Sequence, residues 1–226
     1  MYAPEGESEV TPKDTYHHGD LRRTLMDGAL RVIDDKGLAG LSLRGVAAAA
    51  GVSHAAPYHH FADKSALVRA LGYEGLRLLD ARMAAAEAAA GDDAGERLLA
   101  IGTAYVLFAA ESPAHFEAMG SPDMTGPHAP EQQEEHGETW ERLVRAVIAC
   151  QSAGRMPPGD PTLAAIGLWA LVQGLAQLWR TGPLSAHPQA AGGLAPFADS
   201  VLRAMFAGID PALMLPPAPV DASSVR

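Results

Sequence analysis

The amino-acid sequence predicts an all-α fold, and three observations carry that expectation. Apolar residues recur at helical spacing along the N-terminal segment. No alternating strand pattern occurs anywhere in the chain. The composition is rich in alanine, the strongest helix former, with only 6% aromatics. At 48% hydrophobic and 19% charged, the chain can build a core and is not a disordered polymer. Its 226 residues suggest one large or two smaller domains.

The elements follow in order. Residues 1–14 read as a disordered arm. Asp20 is placed to cap a first helix that runs to about Lys36 and stops at Gly37, with Leu21, Leu25, Ala29, Val32 and Ile33 as its apolar stripe. Ser42 caps a short second helix with Leu43, Val46, Ala47 and Ala50 inward, and Gly51 ends it. Ser53 is placed to cap a third helix through about Phe61. Asp63 caps a fourth, unbroken to about Ala90. Further helices are predicted at about 94–111, 113–119, 130–153, 161–181 and 195–208. Proline and glycine clusters separate them, and the tail 211–226 reads as disordered.

The net charge of −10 is unevenly spread. Residues 13–72 hold eight Lys/Arg against six Asp/Glu, a local +2 that leaves −12 for the rest. A nucleic acid responds to that local field rather than to the sum. The single cysteine, Cys150, offers no disulfide framework, which suits a reducing cytoplasm. It lies on a helix without a nearby base, as a packed thiol does. The N-terminus lacks the apolar run of a signal peptide. The uncharged stretch 161–179 is long enough to cross a membrane, but no second such stretch and no flanking basic cluster accompany it. Burial within a soluble assembly is the preferred reading.

"LSLRGVAAAAGVSHAAPYHHF" (41–61) has the layout of a helix-turn-helix: short helix, glycine turn, short helix. At about 100° per residue the second helix has two faces. Ala56, Pro57, His60 and Phe61 fall on one. His54, Ala55, Tyr58 and His59 fall on the other, which is polar and low enough to enter a major groove about 12 Å wide. Val52 and Pro57 stand where a hydrophobic staple would. Adjacent histidines point apart on a helix, so His59 and His60 make no metal site, and their spacing matches no zinc pattern. His17 and His18 precede the first helix, either touching DNA backbone or lying in an inert arm.

Residues 20–67 resemble the N-terminal domain of the TetR family of bacterial transcriptional regulators. The matching pieces are G-L-x-x-L-S-L-R-x-V-A from Gly37, A-G-V-S from Ala50 and Y-x-H-F-x-D-K-x-A-L from Tyr58. The resemblance implies a helix-turn-helix DNA-binding domain over 15–62 and a ligand-binding and dimerisation domain of about six helices over 63–210. "GDPTLAAIGLWALVQGL" is similar to a subgroup carrying Trp-x-x-x-His-Gly; here Trp169 is followed by Gln173 and Gly174. By position the resemblance assigns DNA contacts to Ser42, Arg44, Ser53, His54, Ala55, Ala56, Tyr58, His59 and Lys64. An arginine such as Arg44 can pair with guanine. Pro57 departs from the usual bulky aliphatic residue, removing an amide and biasing Ala56 away from helical backbone.

The family's pocket lies among the later helices. The candidate ligand contacts are Tyr105, Phe108, His115, Met119, Met124, Trp140 and Trp179, side chains suited to a largely apolar ligand. His128 and His136 read as surface or loop histidines, though any one of His115, His128 and His136 could donate within a pocket. Gly167 and Gly174 stand seven apart on one face with Ala170 and Leu171 between. With Leu178, and with Val201, Leu202 and Met205 of the last helix, they form the candidate interface of a four-helix homodimer.

These features predict a cytoplasmic, homodimeric, ligand-responsive regulator, a repressor released from a palindromic DNA operator by a small molecule. No cofactor, metal or membrane is implied. The alternative is a small-molecule-binding protein of the same fold with weak or lost DNA binding. An enzyme is not expected, because no nucleophile motif, phosphate loop or metal spacing appears.

Overall fold

The computed structural model describes residues 18–125, 130–187 and 192–208, with the side chains of 18–20, 130–136 and 207–208 excepted. All regular structure among them is helical, as expected. A first unit ends at Lys64 and a second begins at Ser65, two residues beyond the boundary read from the sequence.

The first unit is built on α1 (His18–Lys36) and α2 (Leu43–Ala50), joined by a 3₁₀ turn over Leu38–Gly40. Helix α1 already includes His18, so Asp20 is its third residue and not its cap; His17 lies outside the described residues. Leu25, Ala29 and Ile33 of α1 are buried, as are Leu43, Val46 and Ala47 of α2. A Cβ on Gly28 would stand 3.3 Å from both the Ala50 Cβ and the Val46 carbonyl, so the glycine lets the two helices meet closely. Ser42 caps α2, its hydroxyl accepting from the Gly45 amide at 3.1 Å. Gly51 ends it with φ 69°. Its amide donates to the Ala48 carbonyl at 3.2 Å and that of Val52 to Ala47 at 3.0 Å, a Schellman pair that satisfies the last carbonyls.

The expected third helix is where the structure departs from the sequence reading. Residues 56–59 form a 3₁₀ turn, Ala56–His59, and not an α-helix from Ser53 to Phe61. The amides of Ala56, Tyr58 and His60 each donate three residues back, to Ser53, Ala55 and Pro57. Pro57 has no amide to continue an α ladder, so the tighter ladder closes around it. Ser53 provides no side-chain cap; Ala55 occupies that position.

The second unit contains α3 (Lys64–Ala89) from its second residue onward, with α4 (Ala94–Glu111), α5 (Pro113–Met119), α6 (Pro130–Ser152), α7 (Pro161–Arg180) and α8 (Leu194–Gly208). Helix α4 is central, packing against α5, α6, α7 and α8. Its Val106 and Phe108 are fully enclosed with Val147 and Cys150 of α6, Ala165 and Ala176 of α7, and Ala198 and Leu202 of α8. Asp93 caps α4 by accepting from the Glu96 amide at 3.0 Å, and that bond holds its carboxyl below the usual range. Asp160 caps α7 through the Thr162 amide at 2.8 Å. The Cys150 thiol donates to the Ala94 carbonyl at 3.1 Å, and burial pushes its pKa up, so it packs and does not react. Arg142 ties α6 to α3. It grips both Asp80 oxygens, at 2.9 and 3.1 Å, and reaches Glu87 at 2.8 Å.

Candidate functional site

Among the described residues, two places stand out as candidate sites. The first is the turn after α2. Tyr58 is 55% exposed, and His54, Ala55 and His59 are exposed beside it. Pro57 and Phe61 are buried and His60 is half-buried, so the two faces separate as helical spacing anticipates even though the turn is 3₁₀. Ala56, expected among the DNA contacts, falls on the inner face and is buried. The Arg22 guanidinium lies 5.2 Å over the Phe61 ring and helps pin that inner face. Ser53 is exposed, and so are Arg44 and Ser42, the latter with its oxygen engaged as a cap. The Lys64 ammonium donates to the Leu38 carbonyl at 2.9 Å, which anchors the start of α3 within this unit. An ammonium has three donors, and this bond uses one.

The second place is a cavity of about 590 Å³ in the second unit. Helix α3 contributes Leu76, Leu79 and Met83, α4 contributes Ile101 and Tyr105, and α7 contributes Trp169 and Gln173. Within it, the Trp169 indole N–H donates to the Tyr105 hydroxyl at 3.3 Å, and that hydroxyl donates to Gln173 Oε1 at 2.5 Å. Burial pushes the Tyr105 pKa up, so the phenol stays neutral. Two edge-to-face pairs shape the aromatic walls, Trp140–Trp169 at 6.5 Å and Tyr105–Phe116 at 5.7 Å.

Of the seven residues expected to meet ligand, Tyr105, Met119 and Trp140 line this cavity. The other four lie elsewhere. Phe108 is core, and Trp179 packs on Phe197 at 6.0 Å. Met124 fills the gap left by Gly72 beside Tyr73 and Leu76. His115 is buried and pairs with Glu74 at 3.2 Å. His128 and the His136 side chain lie outside the described residues. Trp169, Gln173 and Thr139 were missed. The signal for two of them was present: Trp169 and Gln173 occupy the first and fifth positions of the Trp-x-x-x-His-Gly signature, one helical turn apart on one face.

The expected dimer residues divide. Gly167, Ala170, Leu178 and Met205 are exposed, and Gly174 and Val201 partly so. A Cβ on Gly167 or Gly174 would meet open space. Leu202 is 2% exposed and packs within the chain against Gly102, and Leu171 turns to the cavity wall. Leu202 therefore belongs to the chain's own core, because the period of α8 places it on the same side as Ala198.

A helix-turn-helix unit followed by an all-helical unit built round a cavity is the architecture of a DNA-binding transcriptional regulator. Residues 25–71 match the bacterial regulatory proteins of the tetR family, and residues 98–205 match the tetracyclin repressor-like C-terminal domain. The HTH-type transcriptional regulator BetI of Burkholderia thailandensis is 34% identical over 170 residues, covering 74% of this chain and 84% of that protein. A structure of a protein of unknown function from Rhodococcus sp. RHA1 is similar at TM-score 0.72 and 34% identity, over 87% of this chain and 98% of that one. AibR, solved in complex with isovaleryl coenzyme A and operator DNA, shares the fold at TM-score 0.64 and 21% identity, over 82% and 98%. The chain belongs to the TetR family of bacterial regulatory proteins. It is a DNA-binding regulator and not an enzyme.

Proposed function

We propose that the protein is a cytoplasmic homodimeric repressor, released from a palindromic operator when a small molecule fills the cavity of the second unit. The observation that carries this reading is the polar face of His54, Ala55, Tyr58 and His59, outward above a buried Pro57 and Phe61. Two such faces would enter successive major grooves about 34–36 Å apart. Arg44 would read a base or phosphate, Tyr58 and His59 would touch backbone and sugar, and the remaining Lys64 protons would meet a phosphate. Helix α3 supports the coupling. It starts at Lys64, the last residue of the first unit, and carries Leu76, Leu79 and Met83 to the cavity wall. Ligand and DNA would bias that one continuous helix, with coupling typically of about 1–3 kcal/mol.

The test is a gel shift on DNA upstream of the protein's own gene. Specific binding should survive competitor DNA and weaken as salt rises. One observation favours a second reading, in which the protein binds small molecules but DNA only weakly. Pro57 has replaced the α-helix expected at the recognition position by a 3₁₀ turn. Retardation that competitor abolishes at every salt concentration would select that reading over the first.

A further inference from the structure

The cavity of the second unit also says what kind of molecule it takes. Its volume lies within the range of about 300–1,000 Å³ found for small-molecule sites. Among its described lining residues none is charged. Burying a carboxylate, phosphate or ammonium there would leave it without an ionic partner among those residues, which disfavours a charged ligand. The aromatic rings do not make an obvious cage for a cation either. In each of the two edge-to-face pairs a ring face is already engaged by its neighbour's edge.

Two polar groups in the wall are incompletely used. An indole N–H only donates, so the Tyr105 oxygen accepts from Trp169, and the phenol proton goes to Gln173 Oε1. That arrangement commits the oxygen end of Gln173, and among the described residues nothing accepts from its amide nitrogen. Thr139 lines the α6 wall, and its hydroxyl oxygen is enclosed there with no hydrogen-bond partner among the described residues. Buried polar groups in native proteins are nearly always paired, so a turn of the Thr139 side chain about χ1 toward a ligand in the cavity would give this enclosed hydroxyl the partner it lacks.

Building on the effector-site reading above, we propose that the cavity binds a neutral, largely apolar molecule whose hydroxyl or carbonyl oxygen is recognised by Thr139 Oγ1 and the Gln173 amide. Leu79, Met83 and Ile101 would take its apolar body.

Calorimetry with matched naphthalene probes tests this. The probes are 2-naphthol, 2-naphthoate, N,N,N-trimethyl-2-naphthylammonium and naphthalene itself. The neutral alcohol should bind once per chain, at least about ten-fold tighter than either charged probe. Thr139→Val and Gln173→Leu should each weaken 2-naphthol about three- to ten-fold and leave naphthalene binding unchanged. Retained naphthalene binding also shows that the variant cavity is intact. The proposal is overturned if 2-naphthol does not bind, if a charged probe binds as tightly, or if the variants weaken both neutral probes equally. A gel shift with the same probes separates this from the effector reading. Should 2-naphthol bind without altering the DNA complex, the ligand class stands and the effector role fails. Release by a charged probe alone would do the reverse.

Discussion

At the scale of single residues, Tyr58 and Arg142 mark opposite roles. Tyr58 exposes over half its surface above buried neighbours and takes no part in the buried core of its unit. Tyr58→Ala is therefore expected to leave the melting temperature almost unchanged, because surface substitutions of this kind stay within about 0.5 kcal/mol. If the proposed docking face is right, affinity for the operator should fall about ten-fold or more in a gel shift, since the Tyr58 contact to backbone and sugar would be lost. Unchanged affinity would place the DNA-binding face elsewhere. Arg142 is the converse. Asp80 raises its pKa, chiefly by hydrogen bonding, with Glu87 adding to it, so it is charged at every accessible pH. Its side chain is 19% exposed, against 16% for Asp80 and 29% for Glu87. Arg142→Met keeps the aliphatic stem but leaves two carboxylates unanswered. A fully buried pair broken this way costs about 3–5 kcal/mol, and the water reaching Glu87 reduces the expectation to about 1–3 kcal/mol. Chemical denaturation should show that loss, and the double variant with Asp80→Asn should recover part of it.

At the scale of elements, the turn at Ala56–His59 has the clearest consequence. Its 3₁₀ form follows from one missing amide at Pro57. Pro57→Ala restores a donor able to bond back to Ser53, and the residue before it is freed from the restriction proline imposes. The segment should then extend as an α-helix, with His54 and Ala55 in its first turn. Helical content measured by circular dichroism should rise slightly, and operator affinity should rise if the recognition residues are helical when bound. A fall in affinity would mean that the 3₁₀ turn itself is the DNA-reading form. Most helix limits were legible in the sequence because caps and breakers are local: Ser42, Gly51, Asp93 and Pro113 act within a residue or two of where they stand. The 3₁₀ turn was not, because a capping serine and a proline four residues later give opposed signals and only the hydrogen-bond ladder decides between them. Side-chain destinations were less legible still. Phe108 and Trp179 have the same chemistry as Tyr105 and Trp169, and rotation of each helix against its neighbours, a tertiary property, sends one pair to the core and the other to the cavity.

At the scale of the whole molecule, α7 poses the main question. It is long and apolar enough to cross a membrane, yet only 22% of its most apolar stretch is buried. One side packs on α4 and α6. The other presents Leu163, Gly167, Ala170, Gly174 and Leu178, which recur every three or four residues as a single stripe. A soluble monomer rarely leaves so continuous an apolar strip in water. Large residues at both ends with small ones between let a second helix approach closely at the middle, and a two-fold axis there would set the strip against its own copy. Helix α8 would add Met205 at the edge, while Leu202 stays in the protomer core. A carboxylate inside such a contact would meet its symmetry mate with no compensating charge. If α7 forms the proposed homodimer contact, the unaltered protein should be dimeric in sedimentation equilibrium and Ala170→Glu monomeric at the same concentration. It should leave the protomer fold intact, because Ala170 is exposed within the chain. Two linked half-sites exceed one by about 10²- to 10⁴-fold, so operator affinity should fall by at least about a hundred-fold, far more than Tyr58→Ala alone removes. A variant that stays dimeric would move the interface off α7 and leave the strip to be covered by something else.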